Sequence, residues 1–347
     1  MPSHLDRLLA HVASQVASPP TRSTLAGLVG RLAGVRVLVL GDLMLDEYIW
    51  GEVSRVSPEA PVPVVDARRH TYGLGGAGNV AANILALGGQ AFVAGVLGGD
   101  DSARTLLDEL RRLGADTEAV VADPSRPTTV KTRVVAHSQQ IVRIDRESRE
   151  KISSEVAGEL LERSVELLAR VDAVVLSDYN KGVFVPDLTS GLVAAAQVRG
   201  TPVAVNPKPF NISLYHGATL VSLNHSEAQR STNREIQSEE SLEEVGTRLR
   251  ERLDCQALLV TRGAQGISLF QREGVTIHLP TLPAEVYDVT GAGDTVVSVA
   301  TAALAAGGTC LEAALLGNLG GSLKVRKLGA SPVTAEELTG VLDGGQE

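Results

Sequence analysis

From residue 35 onward, short runs of β-branched and aliphatic residues alternate with amphipathic stretches, and nothing else in the chain constrains its fold as much. The runs are VRVLVLG (35–41), AFVAGVLG (91–98), AVVLSD (173–178), PVAVNP (202–207), TLVSLN (219–224) and ALLVTRG (257–263). Runs that are apolar on both faces and joined by helices predict a largely parallel sheet covered on both sides, an α/β class fold with three α/β/α layers. Sheets of this kind bind ligands beyond the carboxyl ends of their strands. Polar groups stand where these runs stop: Asp42, Ser177 with Asp178, Asn206 with Lys208, Asn224, and Thr261 with Arg262. Ordinary turn chemistry explains any one of them; it explains the whole series less well.

Two stretches, 47–72 and 128–147, keep the two-residue period of a strand and carry no helix, which predicts a small accessory β sheet acting as a lid. Pro58, Pro61 and Pro63 confine the first stretch to edge or bulged pairing. A dimerisation ribbon accounts for the same pattern, and one sheet can serve both ends. Residues 1–33 are expected to form a helical extension, with Leu5, Leu8, Leu9, Val12 and Val16 at helical spacing before Pro19 and Pro20. The remainder, 34–347, is expected to be one domain with the lid inserted.

The first twenty residues lack the apolar run of a secretory signal or membrane span. A formal net charge of -9 argues against nucleic acid or an anionic membrane as partner. Cys255 and Cys310 are the only cysteines and form no CxxC pair, which suits a reducing cytoplasm. The seven histidines show no metal-ligand spacing.

The sharpest local signal is Asp288-Val289-Thr290-Gly291-Ala292-Gly293-Asp294-Thr295, followed by an apolar helical stretch that Gly307 and Gly308 terminate. Backbone N–H groups of Gly291, Ala292 and Gly293 at the positive end of that helix make an anion hole for a transferring phosphate. Asp294, in the first turn, is placed to take the proton of an incoming hydroxyl. A tight turn with a helix-stabilising acid is the plainer reading of five residues taken alone. A second motif, Gly73-Leu74-Gly75-Gly76-Ala77-Gly78, fits GxGxxG with Asp100 downstream, which makes a dinucleotide-dependent dehydrogenase a rival. That fingerprint should follow a buried strand, and the residues before it, DARRHTY, are polar. The glycines are therefore read as letting a sugar approach the backbone, with Asn79 offering its amide to hydroxyls.

GLGGAGNVAANILALG (73–88) and DVTGAGDT (288–295) resemble the two signatures of the ribokinase-like, or PfkB, carbohydrate kinases, and the likeness extends over about residues 34 to 335. Within that family the chain is most similar to the bacterial D-glycero-D-manno-heptose 7-phosphate kinases, through GDLMLDEY, SRVSPEAPVPVV, SQQIVRID, LSDYNKG, EVYDVTGAGDT and KLGASPV. The resemblance implies a ribokinase-like body with a β lid, ATP and Mg2+ as cofactors, and a sugar phosphate as acceptor. Activation by a monovalent cation is left open, and a homodimer through the lid is expected. It also implies that Asp42, Asp46, Gly75, Gly76 and Asn79 hold sugar hydroxyls and that Asp294 is the base. Asn224 and Glu227 match an NxxE element, with Glu227 serving Mg2+. Asn206, Lys208, Thr261, Arg262, Gly263 and Gly266 line the nucleotide, and Asn318 lies near the adenine. A phosphorylated acceptor needs a cationic pocket, for which Lys131, Arg133, Arg143 and Lys181, with Arg55, are available. Two departures from the family pattern are Asn206-Pro207-Lys208-Pro209 for DPKG and Leu223-Asn224-His225-Ser226-Glu227 for PNxSE; GNLGGSLKVRKLG is also unusual on the presumed adenine side.

Overall fold

A nine-stranded sheet runs through the middle of the protein, and a separate four-stranded sheet stands over the carboxyl ends of its central strands. The computed structural model describes residues 3–137, 139–282, 285–329 and 331–344; Ser138 and Ala330, which belong to two of the segments quoted above, lie outside the described residues. In chain order the strands are β1 (Arg36–Gly41), β2 (Leu43–Val56), β3 (Pro63–Gly76), β4 (Gln90–Leu97), β5 (Asp116–Ala122), β6 (Thr129–Ala136), β7 (Gln139–Arg146), β8 (Ala173–Ser177), β9 (Val203–Asn206), β10 (Leu220–Asn224), β11 (Ala257–Thr261), β12 (Ile267–Gln271) and β13 (Thr276–Leu279). The helices are α1 (His4–Ala13), α2 (Arg22–Gly30), α3 (Ala77–Ala86), α4 (Asp101–Arg112), α5 (Ser154–Leu167), α6 (Pro186–Arg199), α7 (His225–Thr232), α8 (Glu239–Leu253), α9 (Ala292–Ala305), α10 (Cys310–Lys324) and α11 (Ala335–Leu342).

The large sheet has the order β13-β12-β11-β10-β9-β8-β1-β4-β5 and is parallel from β5 through β11. The antiparallel pair β12 and β13 extends one edge. One face is covered by α1 to α4 and α9 to α11, whose buried residues, including Leu28, Ile84, Leu106, Val297 and Leu315, share a core with Val37 and Val39 of β1. The other is covered by α5, α6 and α8, with Leu160, Leu192 and Leu249 packed against Leu38 and Leu40 of the same strand. Burial of both faces is why the runs read as continuous rather than alternating. β1 lies between β4 and β8, so the chain departs from it in opposite directions along the sheet. That leaves a crevice at the carboxyl ends, where ligands bind in open α/β sheets.

The second sheet has the order β3-β2-β6-β7. Its β2 starts at Leu43, directly after β1, so the lid grows out of the central strand and reaches further toward the crevice than the expected 47–72. The amino-terminal extension contains two helices rather than one. α1 buries Leu5, Leu8 and Val12, and Gln15 bonds the backbone of His278 on β13. Arg22, the first residue of α2, donates to the carbonyl of Leu342 in α11. Among the described residues no helix is long and apolar enough to cross a membrane.

Candidate active site

Asp294 lies in the first turn of α9, as its sequence context requires, and is 6% exposed. Gly291 caps the helix in a left-handed conformation (φ 74°), open to glycine at no steric cost. Both carboxylate oxygens are engaged: Oδ1 accepts from the Tyr179 hydroxyl at 2.6 Å and Oδ2 from the Asn79 amide at 2.7 Å. Burial pushes the Asp294 pKa above its ordinary value; the Tyr179 hydroxyl, the Asn79 amide and the Lys208 charge oppose that rise, while Asp46 adds to it. Tyr179 is itself pushed well above the usual phenol value by burial and by Asp294, so it stays a donor at every working pH. Each carboxylate oxygen has a second lone pair, which leaves Asp294 able to accept one further hydroxyl.

The anion hole differs in one respect from the expectation. The Ala292 N–H is taken by the carbonyl of Val289 at 3.1 Å, whereas among the described residues the N–H groups of Gly291 and Gly293 have no partner. Two donors rather than three therefore face an incoming anion.

Several residues expected to touch sugar also hold the site together. Asn79, 5% exposed, spends its amide on Asp294. Gly75 and Gly76 make room for the protein itself: a Cβ at Gly75 would fall 2.8 Å from Asp46 Oδ2, and one at Gly76 would fall 2.3 Å from the carbonyl of Asp42. These glycines belong to an antiparallel lid strand rather than following a parallel one, which removes the dinucleotide reading; Asp100 caps α4 and accepts from the Thr128 N–H. Asp42 is 1% exposed and lies under the loop that carries Tyr179: its Oδ2 accepts from the N–H groups of Tyr179 (2.7 Å) and Lys181 (3.2 Å). Its Oδ1 is buried without a partner, as is the Ser177 hydroxyl. Burial and the neighbouring Asp178 push the Asp42 pKa up to about 6. Asp178 completes the support, accepting from Asn211, Tyr215 and the backbone N–H groups of Asn180 and Lys208. Asp46 remains on the site side of β2, paired with Arg133 at 2.6 Å.

A recess of about 140 Å³ opens beside Asp294, lined by Tyr179, Asn206, Lys208, Asn224, Glu227 and Thr261, among others. Lys208 pairs with Glu227 at 2.6 Å and stands over the Tyr179 ring. Glu227, expected to serve a metal, has its second oxygen on the N–H of Asn224, and Asn224 in turn caps α7 through the Glu227 N–H. Each Glu227 oxygen thus holds one partner and keeps a second lone pair, and no cluster of three metal-binding side chains exists among the described residues. Of the 261–266 stretch only Thr261 lines the recess. Arg262 turns away to Glu239 and Ser268, while Gly263 and Gly266 shape the turn with positive φ. Asn318, 4% exposed, donates to the carbonyl of Pro280 and so ties α10 to the chain after β13.

Cations gather where the lid meets the body. Glu147 receives Lys181 (2.6 Å), Arg149 (3.1 Å) and Lys131 (3.5 Å), and Asp145 receives Lys131 and Arg143. Arg55 lies exposed on β2. A second recess of about 430 Å³ shares Tyr179, Lys208 and Glu227 with the first and adds Arg149, Lys181 and Arg230. Tyr179, Arg149 and Arg230 were not singled out from the sequence. Tyr179 had a signal, an aromatic two residues beyond the end of β8; the arginines had none, being ordinary surface charges until the fold brings them together.

The pfkB family carbohydrate kinase pattern matches residues 36–337. The protein named "Bifunctional protein HldE" in Geotalea uraniireducens is 45% identical over 317 residues, and that in Caulobacter sp. is 45% identical over 323. These alignments cover 91% and 92% of this chain but 65% of each relative, so the chain spans just under two thirds of their length. Arabidopsis thaliana ribokinase, solved with ribose and ATP, shares the fold with a TM-score of 0.70 at 20% identity, over 89% of this chain and 99% of that one. Escherichia coli phosphofructokinase-2, in a complex with potassium, gives 0.71 at 20% identity over 90% and 99%.

Proposed function

Because this chain belongs to the pfkB family of carbohydrate kinases and so moves a phosphoryl group from ATP to a sugar hydroxyl, we propose that its acceptor is D-glycero-D-manno-heptose 7-phosphate and its product the 1,7-bisphosphate. The observation that carries this reading is the second recess, lined by Arg149, Lys181, Lys208 and Arg230, whose four cations meet two carboxylates: Glu227, paired with Lys208, and Glu147, paired with Arg149 and Lys181. Such an excess of cations, beside the base yet reaching away from it, suits a phosphate borne on the far end of the acceptor. The likeness to heptose 7-phosphate kinases and the HldE relatives support it.

In this mechanism the anomeric hydroxyl joins Tyr179 on Asp294. Asp294 takes the proton as the sugar oxygen attacks the γ-phosphorus, the bond to the β-phosphate bridging oxygen breaks, and ADP leaves. The Gly291 and Gly293 N–H groups face the charge that builds on the transferring group. Asp46 and Arg133 orient the sugar, and Lys208 shifts from Glu227 toward the nucleotide. Mg2+ would supply charge neutralisation at the nucleotide's phosphates, and Asn224 and Glu227 are the residues that would hold it there. Residues 1–33 serve as a docked extension of the 34–347 kinase body. The exposed Val142 and Ile144 of β7 and Tyr72 of β3 fit the lid to a second copy of the chain, in the cytoplasm.

The test is ADP release from ATP and Mg2+ with heptose 7-phosphate, fructose 6-phosphate, ribose or fructose. Selective turnover of the heptose phosphate is expected, with Arg149→Ala and Lys181→Ala each raising KM about tenfold or more while leaving kcat within a few fold. Preferred turnover of an unphosphorylated sugar would overturn the assignment.

A further inference from the structure

Lys324 is buried to 1% exposure at the last turn of α10, and nothing in the mechanism above uses it. Its only acceptor among the described residues is the carbonyl of Gly329, 2.5 Å from Nζ. It stands immediately behind the anion-binding turn: a methyl group built on Gly291 would come within 3.7 Å of Lys324 Cε. The turn is bracketed by carboxylates, Asp288 on one side and Asp294 on the other. Asp288 accepts from the N–H of Thr290 (2.8 Å) and of Gly329 (2.9 Å), so the carboxylate, the Gly329 peptide and the lysine form one unit. The backbone of 287–288 is further held by the carbonyl of Val325. Burial lowers the Lys324 pKa and the Asp288 charge works against that fall.

Two carboxylates beside a phosphate-binding turn repel the group it must hold, and a lysine that is buried without a full set of partners is expensive to keep. Both facts are accounted for by one role. We propose that Lys324 is a tethered cation that offsets Asp288 behind the Gly291 turn and supports the transferring phosphoryl group, filling space that a soluble monovalent cation could take if the lysine were removed. An ammonium seated between the Gly329 carbonyl and the turn repels any second cation there. The enzyme therefore runs without potassium or ammonium. Lys324 touches no reacting atom and is a positioning residue.

This rests on the kinase chemistry above but not on the identity of the sugar, so the test has an arm that needs no acceptor. Wild-type ADP release with Mg2+-ATP and heptose 7-phosphate is compared in choline, potassium and ammonium chloride, as is that of Lys324→Met, which keeps most of the buried stem. Wild type should change by less than about twofold between salts. The methionine variant should fall about tenfold or more in choline and recover most of that in potassium or ammonium, which fit the space of the lost ammonium. Its melting temperature, measured with no sugar present, should rise in potassium relative to choline while that of wild type does not. Strong potassium activation of wild type overturns the proposal, whether or not the variant folds. So does a methionine variant that is fully active in choline, or one that is folded yet inactive in all three salts. Absence of wild-type turnover in every salt would instead count against the acceptor, and the melting arm would still decide the role of Lys324.

Discussion

Removing the Tyr179 hydroxyl, with Tyr179→Phe, should move the acid limb of the kcat/KM profile upward. Asp294 is 6% exposed, and among the influences that hold its pKa down the Tyr179 hydroxyl comes first, ahead of the Asn79 amide and the Lys208 charge. A hydrogen bond to a charged group contributes about 1.5–3 kcal/mol. At 1.36 kcal/mol per pH unit, its loss moves the limb by about one to two units. The sign follows from the chemistry: the base must be ionised to act, losing a donor favours the protonated form, and activity therefore appears only at higher pH. Well above the limb, kcat should fall by no more than about tenfold, since the carboxylate and the Asn79 bond remain. Initial rates of ADP release between pH 5 and 9, at saturating and at low sugar, measure both quantities. An acid limb that stays in place while kcat drops would refute the idea that Tyr179 tunes Asp294, and would make it a packing residue.

Three further outcomes follow from the same geometry. Asp42 has a pKa raised to about 6 by burial and Asp178, so it favours folding while protonated and loses that contribution as pH rises through about 6. Asp42→Asn cannot ionise, and its stability relative to wild type should increase by up to about 3 kcal/mol between pH 4 and 8, read from urea midpoints; a difference independent of pH would contradict this. Gly76→Ala places a Cβ 2.3 Å from the Asp42 carbonyl at a φ of 55°, and should destabilise the protein by about 2 kcal/mol or more in the same assay. Scattering from the purified protein should give the mass of two chains, and Ile144→Lys, an exposed lid position, should convert it to one.

The body of the fold was legible because its strands are buried on both faces. VRVLVLG and its counterparts leave no alternative partner but helices, and the turn DVTGAGDT could be placed before its helix from its small residues alone. The lid segments were legible from their period, but the start of β2 at Leu43 was not, since a strand that continues straight from a buried one into an exposed one shows no break in hydropathy. Side-chain roles were harder. Asn79, Asp42 and the Gly75–Gly76 pair lie in the right place, yet point at Asp294, the Tyr179 loop and β2, because direction depends on which strand packs beside them. Glu227 and Lys208 were assigned to different ligands and turn out to be each other's partner. The Arg149 and Arg230 side chains come together only through the return of the chain from the lid and the position of α7, contacts too distant in sequence for spacing to reveal.

The central claim is that Asp294 removes the proton from the sugar, and Asp294→Asn tests it most directly. The substitution keeps the shape, and the Asn79 amide can rotate to match the new donor, so the melting temperature should stay within a few degrees of wild type. Turnover of the acceptor that wild type prefers should fall by about 10²- to 10⁴-fold at every pH, with KM for ATP little changed. A folded Asp294→Asn enzyme that retains more than about a tenth of wild-type kcat would contradict the account.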